Sequence, residues 1–381
     1  MPDALTFPPP VSILPSPGTI SLARGIPAPE TFPVAQLMEC ARRAVERHGR
    51  VALNYGEPQG FRPLCEWVAE RHGVAPEQVL ITPGSIMGLS FVVRALSHEP
   101  RRVAVEAPTY DRMVSLLHRL GAEVVSVVRA RDGIDIDGLR RACAGRHPPD
   151  FLYVLPTFHN PTGLTMGPGE RRQLVELAVE RELVIVEDDP YGLLRVDGEP
   201  VASLHDLLNA AGAGHLAVHL SSFSKTVAPG LRVGYVVAPP ALVARLRELA
   251  TQAYISPPML AQAQLYEYLR GGYLEPHLEE LRAFLRPRRD ALLDAFERRM
   301  PAGARWTRPD GGYFLWLELP EGTEAHALAQ RSAAAGVTIV PGTGFFAGRG
   351  GAGGARLSFS FPPVAEVRAG GERLAELVAA A

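Results

Sequence analysis

The sequence of 381 residues predicts an α/β protein with two unequal domains, a large one built on a mostly parallel sheet and a smaller α+β one. Two observations lead to this prediction. Short runs that are almost wholly apolar alternate with amphipathic stretches, which is typical of a sheet that helices cover on both faces. Towards the C-terminus the pattern becomes rich in strands. We therefore expect an N-terminal arm with part of the small domain at residues 1–45, the large domain at 46–275 and the small domain at 276–381.

The elements follow from the same patterns. Roughly the first 20 residues are rich in proline and lack a hydrophobic period, which indicates an arm. The expected strands cover residues 102–106, 124–128, 151–155, 183–186, 216–220, 233–238, 313–319, 337–340 and 356–361. The expected helices cover residues 85–96, 110–120, 137–144, 168–181, 240–251 and 275–300. The glycine-rich segment 348–354 reads as a surface turn, because no helix start follows it.

The composition argues against nucleic-acid-binding, membrane-spanning and secreted proteins. The chain is 46% hydrophobic and 21% charged with a net charge of −2, so it carries no electrostatic signature of nucleic-acid or membrane binding. Its three cysteines, Cys40, Cys65 and Cys143, are odd in number and lack the spacing of metal ligands, which favours a reducing cytoplasm. No apolar run is long enough to cross a bilayer, and the N-terminus lacks a signal-peptide pattern.

Lys225 is the single lysine among 39 basic residues. A bias towards arginine explains why lysines are missing wherever only charge matters, but it does not explain why one lysine is retained. An amine can attack a carbonyl and form a Schiff base, and a guanidinium cannot. We therefore expect Lys225 to be catalytic.

Three segments resemble motifs of one family in order and spacing: TFHNPTG at residues 157–163, VEDDPY at 186–191 and SSFSKTVAPGLR at 221–232. From about residue 20 onwards the chain is similar to the class I/II aminotransferases, which are fold-type I enzymes that use pyridoxal 5′-phosphate (PLP), and most of all to their 2-aminoadipate branch. The resemblance implies a ping-pong exchange between an amino acid and a 2-oxo acid, with Lys225 holding PLP as a Schiff base. It also implies a homodimer with shared active sites.

The PLP ring acts as an electron sink while its pyridine nitrogen stays protonated, and a nearby carboxylate raises the pKa of that nitrogen. Asp188 follows an apolar strand at the edge of the sheet where ligands bind in open α/β folds. Strand alternation directs its neighbours Glu187 and Asp189 to the opposite face. The resemblance assigns the nitrogen contact to Asp188, and it names Lys225, Asp188 and Tyr191 as catalytic.

The resemblance also implies the remaining cofactor contacts. The phosphate needs backbone amides at a helix start together with cations and hydroxyls, and the segment opening the helix at residue 85 can supply such amides. Tyr110 would stack on the ring, and Tyr55 would be donated to the phosphate of the neighbouring subunit. The other implied contacts are Gly84, Ser85, Ile86, Ser222, Ser224 and Arg232 for the phosphate, and Asn160 and Tyr191 for the ring oxygen.

For the substrate, the resemblance implies that Arg356 binds the α-carboxylate in a bidentate manner, with Asn160 beside it. Arg24 stands where members of the family usually carry glycine, in a segment expected over the substrate. A guanidinium there could bind a distal carboxylate and favour an acidic substrate. His159 could be either a proton shuttle or a buried histidine whose hydrogen bonds are satisfied.

Two alternatives remain at this level. The same fold supports elimination, decarboxylation or oxidation by PLP chemistry, and Arg24 could mark such a departure. A PLP-sensing regulator would share the fold, but it would carry a DNA-binding module before it, for which roughly 20 residues leave no room.

Overall fold

A computed structural model describes residues 18–130 and 133–380, so most of the predicted N-terminal arm lies outside the described residues. The helices are α1 Val34–Ala52, α2 Arg62–His72, α3 Ser85–Leu96, α4 Asp111–Arg119, α5 Ile136–Cys143, α6 Pro168–Arg181, α7 Leu204–Ala210, α8 Pro240–Tyr254, α9 Met259–Arg270, α10 Leu274–Arg299, α11 Ala325–Ala334 and α12 Val364–Ala379. The strands are β1 Ile20–Ser21, β2 Val79–Thr82, β3 Arg102–Ala107, β4 Glu123–Ala130, β5 Gly133–Ile134, β6 Phe151–Val154, β7 Val184–Asp188, β8 Ala217–Ser222, β9 Gly234–Val237, β10 Arg305–Trp306, β11 Phe314–Glu318, β12 Val337–Thr338, β13 Val340–Pro341 and β14 Gly354–Ser358.

Eight of the described strands form a large sheet in the order β2-β9-β8-β7-β6-β3-β4-β5. Its central neighbours, from β4 through β3, β6 and β7 to β8, pair in parallel, while β9 and β5 pair antiparallel with their neighbours. Apolar side chains of α3, α4 and α8 pack against one face of this sheet, and those of α5, α6 and α7 against the other. The predicted fold class, an α/β protein with a mostly parallel sheet covered by helices, is confirmed.

The register of the central strands sorts their side chains by face. Tyr153 of β6 lies opposite Val186 of β7, and Asp188 lies opposite Leu220 of β8. Since side chains alternate along a strand, Tyr153 and Asp188 share one face of the sheet. Glu187 belongs to the other face, where its carboxylate lies 3.1 Å from Nδ1 of His219. This face assignment places Asp188, and not Glu187, towards the helices α3 and α4.

The C-terminal part contains a four-stranded sheet in the order β10-β11-β14-β13, which is antiparallel throughout. The strand predicted at residues 337–340 is divided into β12 and β13 at Ile339. The reason is a change of partner, because β12 pairs in parallel with β1 whereas β13 pairs with β14. The N-terminal residues Ile20 and Ser21 therefore join the C-terminal part of the fold.

Several elements were absent from the sequence prediction, namely α1, α2, α7, α9 and the strands β1, β2, β5 and β10. The division into domains at residues 45 and 275 stays a prediction. Within residues 18–130 and 133–380, no helix is both long and apolar enough to cross a membrane.

Candidate active site

A cavity of about 340 Å³ opens where β7 and β8 end and α3 begins. Most of the residues expected from the sequence to contact a cofactor or substrate line it. These are Ser85, Ile86, Tyr110, Asn160, Asp188, Tyr191, Ser222, Ser224, Lys225, Arg232 and Arg356. The segment around Arg24 contributes Gly25 and Ile26 to the wall, while Arg24 itself is half-buried beside them.

Lys225 follows the last residues of β8, and its side chain is held inside the cavity. Its Nζ donates a hydrogen bond of 2.6 Å to the carbonyl oxygen of Gly25. Burial, together with the positive charges of Arg356 and Arg232, lowers the pKa of Lys225 to about 8. A substantial fraction of this amine is therefore neutral near physiological pH, as a nucleophile or a base requires.

Asp188 ends β7, and its carboxylate is buried. Oδ2 accepts a hydrogen bond of 2.7 Å from the hydroxyl of Tyr153. Oδ1 has no hydrogen-bond partner among the described residues. Burial raises the pKa of Asp188 to about 6, against the hydrogen bond from Tyr153, which lowers it. A buried carboxylate oxygen without a partner, on the wall of a cavity, fits a protonated ring nitrogen.

One end of the cavity is suited to an anion. Gly84 precedes α3 with a φ of +82°, and a Cβ at this position would come within 2.3 Å of Nη2 of Arg232, so glycine permits the close approach of the guanidinium. Ser222 Oγ donates to Ser224 Oγ at 2.9 Å, and Arg232 Nη1 lies 3.4 Å from Ser224 Oγ. These hydroxyls, the guanidinium and the first amides of α3 together provide the donors that a phosphate needs.

The guanidinium of Arg356, on β14, projects into the same cavity. Nη1 donates to Oδ1 of Asn160 and Nη2 to the carbonyl oxygen of Ala23, both at 3.0 Å. The rings of Phe314 and Phe345 lie 4.4 and 4.9 Å from the centre of the guanidinium. The aromatic rings and the two oxygen acceptors orient the cation and restrict its motion.

Two tyrosines complete the wall. Tyr110 immediately precedes α4, and burial raises its pKa to about 12. Burial also raises the pKa of Tyr191 well above its usual value, and Lys225 Nζ lies 5.9 Å from the centre of its ring. Both phenols therefore stay protonated and able to donate hydrogen bonds at neutral pH.

His159 lies behind this wall and is fully buried. Its Nδ1 is 2.8 Å from Thr162 Oγ1. Its Nε2 lies 3.2 Å from a carboxylate oxygen of Glu106, although outside the angles of a hydrogen bond. Glu106 also accepts from the amide of Leu155 at 2.8 Å and pairs with Arg129. Burial lowers the pKa of His159. These contacts favour a structural role for His159 over that of a proton shuttle.

Tyr55 is the one sequence-predicted cofactor contact that lies on the outside of the described chain, with 80% of its surface exposed. It follows α1, whose outer face also exposes Val34, Met38 and Val51. Tyr55 is not among the described residues that line the cavity.

Sequence reasoning missed Tyr153 and the pair Asp111–Arg112, which belong to the site or touch it. A tyrosine within the buried, apolar strand of residues 151–154 was a signal, because a buried phenol needs a hydrogen-bond partner. Its partner could not be identified without the pairing of β6 with β7.

Comparisons with known proteins agree with this geometry. Residues 18–373 match the sequence profile of the family described as aminotransferase class I and II. The chain is 37% identical over 370 residues to the aromatic-amino-acid aminotransferase 1 of Thermococcus litoralis, covering 94% of this chain and 88% of that protein. It is 40% identical over 345 residues to a 2-aminoadipate transaminase of Thermus thermophilus, covering 90% and 86%. It superposes with a TM-score of 0.90 and 38% identity on a crystal structure of the alpha-aminoadipate aminotransferase of Thermus thermophilus complexed with N-(5′-phosphopyridoxyl)-L-leucine, covering 96% and 93% of the two chains.

Proposed function

Because the chain belongs to the class I and II aminotransferases, we propose that the cavity around Lys225 and Asp188 is its active site and that it takes an amino acid with a distal carboxylate. The protein is a PLP-dependent transferase that exchanges an amino group between an amino acid and a 2-oxo acid. The location rests on one observation: the single lysine and a buried carboxylate oxygen, for which the described residues provide no hydrogen-bond partner, line the same cavity.

When bound, the cofactor supplies an electron sink that weakens the bonds to the α-carbon of the substrate. Lys225 is the group that would bind it covalently and, once released, would take the proton from the α-carbon. The amine is suited to this role because burial lowers its pKa to about 8. The carbonyl of Gly25, 2.6 Å from Nζ, would restrict the direction in which the amine lies.

The other residues would bind and orient. Asp188 would accept a hydrogen bond from the protonated ring nitrogen through Oδ1, and Tyr110 would stack on the ring. Asn160 and Tyr191 would bind the ring oxygen. The phosphate would lie at the start of α3, held by the amides of Ser85 and Ile86 after Gly84, the hydroxyls of Ser222 and Ser224, and the guanidinium of Arg232.

Arg356 would bind the α-carboxylate that all amino-acid substrates share, and Asn160 would hold it in place. The distal carboxylate is proposed to bind Arg24. In support, the flanking carbonyls of Ala23 and Gly25 contact the side chains of Arg356 and Lys225, so Arg24 lies in a segment that passes directly over the reactive end of the cavity. One relative is a 2-aminoadipate transaminase, which agrees with an acidic substrate.

The test compares substrates in Arg24→Gly and in the control Arg349→Gly, which changes an exposed arginine of the glycine-rich loop. A desolvated charge-assisted pair is worth ~1.5–3 kcal/mol, so kcat/KM for 2-aminoadipate should fall roughly ten- to a hundredfold in Arg24→Gly. The value for leucine should stay nearly constant. If the ratio of acidic to neutral kcat/KM is the same in Arg24→Gly as in the unaltered enzyme, the contact between Arg24 and a distal carboxylate is rejected. A preference of the unaltered enzyme for phenylalanine would replace the acidic substrate with an aromatic one.

We further propose that the enzyme is a cytoplasmic homodimer in which Tyr55 reaches the phosphate of the partner subunit. The exposed apolar side chains on α1 and beyond it support an interface there, namely Val34, Met38, Val45, Val51 and Leu53. In the proposed division, residues 1–45 form the arm and part of the small domain, residues 46–275 the large domain and residues 276–381 the small domain. The pairing of β1 with β12 supports the grouping of the N-terminal residues with the C-terminal ones.

A further inference from the structure

Tyr153 contacts Asp188 from behind the cavity wall and has no part in the proposed binding of cofactor or substrate. It lies on β6, next to β7, and is fully buried. Its hydroxyl donates a hydrogen bond of 2.7 Å to Oδ2 of Asp188. Its ring packs among apolar side chains such as Val105 and Val186, where a phenylalanine would pack equally well. The hydroxyl is therefore not required for packing, and its function has to be sought in the bond to Asp188.

That bond has two physical consequences. It occupies Oδ2 and thereby fixes the plane of the carboxylate, so that Oδ1, which has no partner among the described residues, is the oxygen left for the cavity. It also donates to the ionised form of the carboxylate, which a buried site otherwise disfavours. We propose that Tyr153 is a positioning residue that keeps Asp188 ionised and directs Oδ1 to the ring nitrogen of the cofactor. This inference rests on the proposed role of Asp188.

The balance of effects on Asp188 supports the proposal. Burial raises the pKa of this carboxyl to about 6, while the hydrogen bond from Tyr153 lowers it. Without the hydroxyl, the carboxylate becomes a stronger base and competes better with the ring nitrogen for the shared proton. The proton should then shift from the nitrogen to Asp188, and the ring would lose the positive charge on which its chemistry depends.

The experiment uses the holoenzyme with PLP labelled with ¹⁵N in the ring. In Tyr153→Phe the ¹⁵N resonance should move towards the value of an unprotonated pyridine. The dissociation constant of PLP should rise roughly tenfold, since a hydrogen bond to a charged group is lost. The turnover number should fall with little change in KM. The control is Tyr268→Phe, which removes the hydroxyl of another fully buried tyrosine, on α9, that donates to the carbonyl of Tyr273.

The outcomes separate this inference from the proposed function. If Asp188→Asn leaves the ¹⁵N resonance of the unaltered enzyme in place, the assignment of Asp188 fails. If Asp188→Asn moves it and Tyr153→Phe does not, only the role of Tyr153 is rejected. In the double variant, Tyr153→Phe should add little to Asp188→Asn, because it acts through that residue. Full additivity would also contradict the proposal.

A second probe covers the case in which Tyr153→Phe does not fold. 3-Fluorotyrosine at position 153 keeps the size and the hydroxyl of the side chain. In the apoenzyme, its ¹⁹F resonance should titrate with Asp188 near pH 6, and this step should be absent after Asp188→Asn. A ¹⁹F resonance without that step would mean that the phenol does not sense the charge of Asp188, and the inference would be rejected.

Discussion

Nη1 of Arg356 donates a hydrogen bond of 3.0 Å to Oδ1 of Asn160. The contact joins the C-terminal sheet, through β14, to the loop that follows β6 of the large sheet. It therefore couples the residue proposed to bind the substrate carboxylate to a residue proposed to bind the cofactor ring. A carboxylate that binds Arg356 would therefore also change the hydrogen bonding of Asn160.

The first prediction concerns Arg356. Arg356→Gln keeps a donor for Asn160 but removes the charge, so the α-carboxylate should bind more weakly whatever side chain follows it. We expect kcat/KM to fall roughly ten- to a hundredfold for acidic and neutral amino acids alike, since a charge-assisted hydrogen bond is worth ~1.5–3 kcal/mol. Steady-state kinetics with 2-aminoadipate and leucine would measure it. A loss restricted to one of the two substrates would contradict the assignment.

Much of the sheet could be predicted because its strands are short and apolar along their whole length, as in residues 151–154. The alternation along β7 was enough to separate Asp188 from Glu187. The contact between Tyr153 and Asp188 could not be predicted, because it depends on the register of two strands whose residues lie 35 positions apart. The division of the strand at Ile339 was missed for the same reason, since each half follows a different partner.

Helix α1 was missed for another reason. Many apolar side chains of α1 are exposed in the single chain, Met38 by 70% for example, so its hydrophobic pattern does not describe one buried face. Most of the site residues expected from the resemblance to the family line one cavity. Tyr55 is the exception, because its proposed contact depends on a second chain.

The second prediction concerns Lys225. Reduction of the holoenzyme with borohydride should attach the pyridoxyl group to a single peptide, the one containing Lys225, because the chain has no other lysine. Lys225→Arg retains the positive charge but removes the nucleophile, so turnover should fall by roughly 10³-fold or more while PLP still binds. Mass spectrometry of the digest identifies the peptide. A label on the α-amino group, or appreciable turnover in Lys225→Arg, would show that another amine serves.

The third prediction concerns the stability of the apoenzyme. Burial raises the pKa of Asp188 from 3.8 to about 6, so between these values the folded chain binds more protons than the unfolded one. The contribution of Asp188 to the free energy of unfolding therefore falls as the pH rises through this range, by roughly 2–3 kcal/mol in total. Asp188→Asn lacks this loss, and the variant should be the more stable apoprotein at pH 7.

Urea unfolding of both apoproteins at several pH values between 4 and 8 measures the difference. It should increase up to about pH 6 and stay constant above it. In the holoenzyme the sign should reverse, because the ionised carboxylate then has a cationic partner. A difference in the free energy of unfolding that does not change with pH would mean that folding does not raise the pKa of Asp188.

The last prediction concerns Tyr55, which is 80% exposed in the single chain although its proposed ligand is a phosphate. If it serves the partner subunit, a dimer of Lys225→Ala chains and one of Tyr55→Phe chains are each impaired at both sites. A mixed dimer combines both defects in one site and leaves the other intact. Mixing and refolding the two variants in equal amounts should therefore restore activity. Random pairing gives about half mixed dimers, each with one intact site of two, so the activity should approach about a quarter of the unaltered level. The control is a mixture of Arg356→Ala and Lys225→Ala chains. This mixture gains activity only if Arg356 and Lys225 of one chain serve different sites. We expect no gain, because both residues line the same cavity of one chain. Recovery with Arg356→Ala, or none with Tyr55→Phe, would reverse the assignment of these two residues to the subunits.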